Sequence, residues 1–138
     1  MIAYLDSSVL LRVILGEPQR LAEWDDIDTG ISSVLAQVEC LRSIDRLRVQ
    51  NAIPRRKYAS LRAAVYDLLA RVELVDISPA ILSSASSSIP VPLGTLEAIH
   101  LATALLWQDL RGELLLLATH DKTLATAARA LGLTTIGC

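Results

Sequence analysis

Phenylalanine is absent from this 138-residue chain, and the remaining aromatics are three tyrosines and two tryptophans. So few flat faces exclude base stacking as the main grip on any nucleic acid. Cysteine is just as scarce, with only Cys40 and Cys138. Two thiols, one of them inside a helical pattern, do not form a disulfide framework and point to a reducing, cytoplasmic setting. The sequence has no Cys/His spacing of the zinc type, no Gly-rich phosphate loop and no recoverable Ser-His-Asp arrangement. No apolar run approaches the ~18 residues needed to cross a bilayer, and the N-terminus lacks the basic segment of a signal peptide. Net charge is only −2, from 13 basic and 15 acidic residues, so bulk charge does not announce a polyanion partner.

What the chain does have is apolar content. It is 52% hydrophobic and 20% charged, with a mean hydropathy of +0.44, which excludes a disordered chain. Its length suits one domain over residues 1–138, with no internal repeat or linker. Residues 2–5 read as a short buried strand, and Ser7 and Ser8 as caps of an apolar helix through Leu15. Gly16 and Pro18 stop that helix, and a strand is predicted at 29–32. Ser32 or Ser33 opens a long helix to about Gln50, and Asn51 and Pro54 divide it from a second one over 55–71. A strand follows at 73–77, then a helix begun by Ser78-Pro79, with Ser83–Ser88 as its polar face and fraying end. Pro90, Pro92 and Gly94 mark a loop before a helix from Thr95 to about Leu110. An apolar strand at 113–118, a helix from Asp121 to Gly132 and an edge strand at 134–136 complete the pattern. This alternation predicts an α/β fold, a three-layer α/β/α domain with a central, mostly parallel sheet.

Four acids interrupt apolar segments: Asp6 after Ile2–Leu5, Glu39 in 34–41, Glu97 in 96–102 and Asp121 after 114–120. Each has an ordinary explanation alone. Asp6 or Asp121 would cap a helix, Glu39 would face solvent or pair with Arg42, and Glu97 would satisfy a helix dipole. Burying a lone carboxylate costs several kcal/mol, so four in one small domain are better explained by a shared cation. Oxygen-only ligands select a hard divalent ion, Mg²⁺ or Mn²⁺, able to activate water and orient a phosphodiester. In open α/β sheets the working crevice lies at the carboxyl ends of the strands, where Asp6 and Asp121 fall. Ser8 and Thr119 are hydroxyls expected to support these acids. His100 is expected to pack and hydrogen-bond, and His120 to be exposed or to support the acids indirectly.

Four segments carry a likeness to a known family: Tyr4-Leu5-Asp6-Ser7-Ser8-Val9-Leu10-Leu11, Ser33-Val34-Leu35-Ala36-Gln37-Val38-Glu39, 96–105 from Leu96-Glu97-Ala98-Ile99-His100-Leu101-Ala102, and Thr119-His120-Asp121-Lys122-Thr123-Leu124. Together and in this order they resemble the successive motifs of PIN-domain ribonucleases, most of all the VapC-type toxins of toxin–antitoxin pairs. The resemblance implies an Mg²⁺- or Mn²⁺-dependent endoribonuclease whose metal-holding, catalytic acids correspond to Asp6, Glu39, Glu97 and Asp121. It also implies a homodimer held inactive by a small cognate antitoxin, with DNA contacted only through that antitoxin and no membrane involved. The third acid of this pattern is most often Asp. Here it is Glu97, which carries the same charge one C–C bond further out.

Seven of the thirteen basic residues fall within residues 42–62, opposed there only by Asp45. Arg42, Arg46, Arg55, Arg56 and Lys57 are the RNA-binding candidates, against the plainer reading of a solvated helix face. The competing functional reading is a PIN-like binding module with weakened chemistry that acts through its partner complex. A phosphotransferase using Asp6 as nucleophile is disfavoured, because Ser8 stands where many such enzymes carry a second Asp.

Overall fold

A computed structural model describes all residues, 1–138. Five strands, β1 (Ile2–Leu5), β2 (Thr29–Ser33), β3 (Glu73–Val75), β4 (Leu116–Ala118) and β5 (Thr134–Ile136), form one sheet in the order β3-β2-β1-β4-β5. All four pairings are parallel, so the sheet is wholly parallel, not merely mostly so. The helices are α1 (Ser7–Ile14), α2 (Leu35–Val49), α3 (Lys57–Leu69), α4 (Pro79–Ala85), α5 (Thr95–Arg111) and α6 (Lys122–Ala130), with a 3₁₀ turn at Trp24–Asp26.

The two faces of β1 explain its unbroken apolar character. Ala3 and Leu5 point into a core shared with Val9, Leu10, Ala36, Cys40, Ile44, Val65 and Leu68, from α1, α2 and α3. Tyr4 points the other way, into a core with Leu101, Ala104, Trp107, Leu124 and Ala127, from α5 and α6. Alternate residues of a strand face opposite sides, so a central parallel strand covered by helices on both sides must be apolar throughout. A smaller cluster of Ile81, Ile99 and Ala102 seats α4 on α5.

Several element boundaries differ from the sequence expectation. Ser7 and Ser8 lie inside α1 instead of capping it, and Asp6 holds the N-cap position. Ser33, not Ser32, serves the start of α2, its Oγ accepting the Leu35 N–H at 3.2 Å. Ser32 is buried and donates across the sheet to the Leu5 carbonyl at 2.7 Å. The run 113–118 is a strand only over Leu116–Ala118, while Leu114 is 75% exposed. Gly112 ends α5 in the left-handed region at φ +65°, and the Gln108 side chain accepts the Leu115 N–H, so the chain turns before it can pair.

The strand order turns at β1. The chain moves outward through β2 and β3, then returns to the opposite side of β1 with β4 and β5. That switch point brings the carboxyl ends of β1 and β4 side by side, the place where ligands bind in folds of this kind.

Candidate active site

Asp6 is the first residue after β1, with φ −70° and ψ 153°. It is only 6% exposed and sits at the N-cap of α1, yet makes no side-chain cap bond. Its Oδ2 instead accepts the Ser8 hydroxyl at 2.6 Å and the Thr119 hydroxyl at 2.8 Å. Each hydroxyl is oriented in turn from beyond β4. Ser8 Oγ accepts the His120 N–H at 3.0 Å, and Thr119 Oγ1 accepts the Asp121 N–H at 2.9 Å. With the backbone occupying the acceptor side of both oxygens, their protons are left to face Asp6. Two residues 113 apart in sequence are thereby locked across the switch point.

Glu39 lies in the second turn of α2, and its Oε1 is 2.5 Å from His100 Nε2. The imidazole is 1% exposed. Its Nδ1 lies 2.8 Å from the Tyr4 hydroxyl, and the two rings meet edge to face with centroids 5.9 Å apart. Burial alone would push the His100 pKa down, but the hydrogen bond and charge of Glu39, with the charges of Asp6 and Glu97, raise it above its ordinary 6.5. Burial, followed by the Asp6 charge, pushes the Tyr4 hydroxyl far upward, so it stays protonated. Cys40 is buried and free, its thiol pushed up to about 12 by burial and then by Glu39 and Asp6. A thiol so held is not a nucleophile at neutral pH.

Three of the four acids, Asp6, Glu39 and Glu97, thus act electrostatically on one buried imidazole. Glu97 is half-buried in the first turn of α5 and folds back over Gly94. Asp121 is used differently: Oδ1 accepts the Thr123 and Leu124 N–H groups at 2.8 and 3.1 Å, capping α6. Its backbone N–H still reaches Asp6 through Thr119. No Arg or Lys ion pair engages Asp6, Glu39, Glu97 or Asp121. No three His, Cys, Asp or Glu side chains converge as they stand into a ready metal-holding group.

His100 is packed and hydrogen-bonded, as its apolar surroundings suggest. Tyr4 is the member of this hydrogen-bonded cluster that sequence reasoning misses; its signal is a hydroxyl in an otherwise apolar strand, which needs a partner once buried. Arg42 pairs with Asp45 at 3.1 Å and not with Glu39, and Arg48 meets Asp45 at 2.9 Å. Arg46, Arg55, Arg56 and Lys57 are exposed. Arg42 and Arg46 continue the face of α2 that carries Glu39, Arg46 about two turns beyond it. The other three lie at the corner into α3.

Residues 3–130 match the PIN domain family. Ribonuclease VapC46 of Mycobacterium tuberculosis is 34% identical over 136 residues, covering 96% of this chain and 95% of the relative. A VapBC2 structure from Rickettsia felis, bound to a promoter DNA fragment, superposes with a TM-score of 0.69 at 14% identity, over 98% of this chain and 97% of that one. A toxin-antitoxin complex from Klebsiella pneumoniae superposes at 0.68 with 16% identity, over 93% of each chain. The fold common to these structures is the one described above, and the sequence relationship spans nearly the full length of both proteins. The chain belongs to the PIN domain family, on its VapC branch.

Proposed function

We propose that this protein is a metal-dependent endoribonuclease, the toxin of a toxin–antitoxin pair, acting in the cytoplasm. The observation that carries the reading is Asp6. A buried carboxylate at a helix N-cap that takes two oriented side-chain hydroxyls, in place of the cap bonds, is shaped for something other than holding its helix. Support for the activity comes from the relative named as a ribonuclease, and support for a protein partner from the toxin-antitoxin complex that shares the fold. We extend the partner reading to a small cognate antitoxin and a homodimer, with DNA reached only through the antitoxin.

The donor set suits a hard divalent ion, being all carboxylate oxygen and free of arginine or lysine partners. Asp6, Glu39 and Glu97 would hold Mg²⁺ or Mn²⁺, with Asp121 as a fourth ligand through the oxygen not used in capping. When bound, the ion supplies charge neutralisation and lowers the cost of generating hydroxide for attack at phosphorus, leaving 5′-phosphate and 3′-hydroxyl ends. The protein's own part is positional. Ser8 and Thr119 fix the lone-pair direction of Asp6, while His100 and Tyr4 fix Glu39. Glu39 would turn its free oxygen, Oε2, toward the ion while Oε1 keeps its bond to His100, and Glu97 would meet the ion from its place over Gly94. The basic residues along α2 and at the corner into α3 would hold the RNA backbone.

A binding module that works only through its partner is the second reading, and the engagement of Glu39 with His100 is what favours it. The two separate on cleavage of total cellular RNA by the purified protein, in Mg²⁺ and in Mn²⁺. Discrete products that vanish with EDTA and with Asp6→Asn are expected. Products that survive Asp6→Asn would remove the site from the reaction, and no cleavage with either ion would favour the module.

A further inference from the structure

Gly94 stands at the N-cap of α5, three residues before Glu97, with φ −69° and ψ 164°. That is ordinary extended backbone, open to any residue, so the conformation does not call for glycine. Nor does the position gain a cap bond, since no side chain serves the first turn; a Ser, Thr or Asp here would stabilise the helix. What glycine supplies is space. A Cβ at this position would lie 3.3 Å from Glu97 Cδ and 3.9 Å from Oε1, with Oε2 nearer still. The Glu97 carboxylate occupies the volume that any other residue at 94 would fill.

We propose that Gly94 is a positioning residue for the acidic site: the missing side chain lets Glu97 fold back on its own helix terminus. The carboxylate is thereby held over the first turn of α5, on the helix that carries His100. This rests on the nuclease reading. An aspartate at 97, one methylene shorter, would not reach the space over Gly94 and would be indifferent to it. Glu97 is a flexible side chain, so an alanine at 94 displaces the carboxylate without disturbing the backbone or the core.

The test is a two-by-two comparison of Gly94→Ala and Glu97→Asp, read by Mn²⁺ affinity from calorimetry or electron paramagnetic resonance, and by RNA cleavage. Gly94→Ala alone is expected to weaken Mn²⁺ binding by about tenfold or more, the loss typical when a ligand's support is removed. Its Tm should remain within roughly 3 °C of the parent, because the backbone conformation suits alanine. Adding Gly94→Ala to Glu97→Asp should change affinity less than about twofold, the signature of one effect acting through the other. An equal penalty in both backgrounds would overturn this inference alone. So would a crystal structure of Gly94→Ala with the Glu97 carboxylate unmoved. A parent protein that binds no Mn²⁺ would overturn the nuclease reading along with it.

Discussion

Asp6 and Asp121 hold matching positions, each following a strand and standing at the cap of the next helix, yet they spend their carboxylates differently. Asp121 caps α6 with two backbone bonds, while Asp6 gives up its cap to take the Ser8 and Thr119 hydroxyls. Sequence spacing treats the two alike, because only the arrival of Thr119 from β4 distinguishes them. His100 carries the clearest consequence for pH. Its folded-state pKa is raised above 6.5, so its proton is bound more tightly in the folded protein than in the unfolded chain. The resulting stability is fully present below 6.5 and is lost as pH rises through the raised value. Tm of the metal-free protein should therefore fall as pH climbs through that window, and His100→Gln should flatten the dependence. A slope undiminished in His100→Gln would assign it to another group.

Among the elements, α2 and the corner into α3 carry the exposed cations that the acids do not engage. Replacing Arg46, Arg55, Arg56 and Lys57 together by alanine should leave the far-ultraviolet circular dichroism intact, since all four side chains are exposed. The salt slope of single-stranded RNA binding should drop by about 0.7 for each phosphate that the variant no longer neutralises. An unchanged slope would make these helices a solvated surface and nothing more. The strand at 113–118 behaves differently from its sequence pattern for a reason that also belongs to this scale. Its apolar run promises six residues of strand, but its neighbours supply only Ala3–Leu5 on one side and Thr134–Ile136 on the other. A strand is no longer than the partners that pair with it, and Leu114 lies beyond theirs.

For the molecule as a whole, the candidate site depends on the sheet that aligns β1 with β4. Leu117 is fully buried at the middle of β4, opposite Tyr4, and packs against α5 and α6. Leu117→Ala should cost about 2–5 kcal/mol of folding free energy. The expected signature is a lower urea midpoint with an unchanged m-value, because the cavity weakens the fold without altering the surface exposed on unfolding. A loss below about 1 kcal/mol would mean the site collapses around the cavity and that packing at the sheet centre is loose.

The sequence by itself determined the alternation of strands and helices, the placement of Asp6 and Asp121 at strand ends, and the membership of the PIN domain family. Those features are local. Periodicity, caps and short motifs are written within a few residues of one another, so they can be read without knowing what packs where. Only the tertiary structure decided the strand order, the grip of Thr119 on Asp6 and the meeting of Glu39, His100 and Tyr4. It also decided which carboxylate serves as a cap and which is kept from it. Those pairings join residues 61, 96 and 113 positions apart. Contacts at such separations are chosen by the packing of whole elements, which no local pattern encodes.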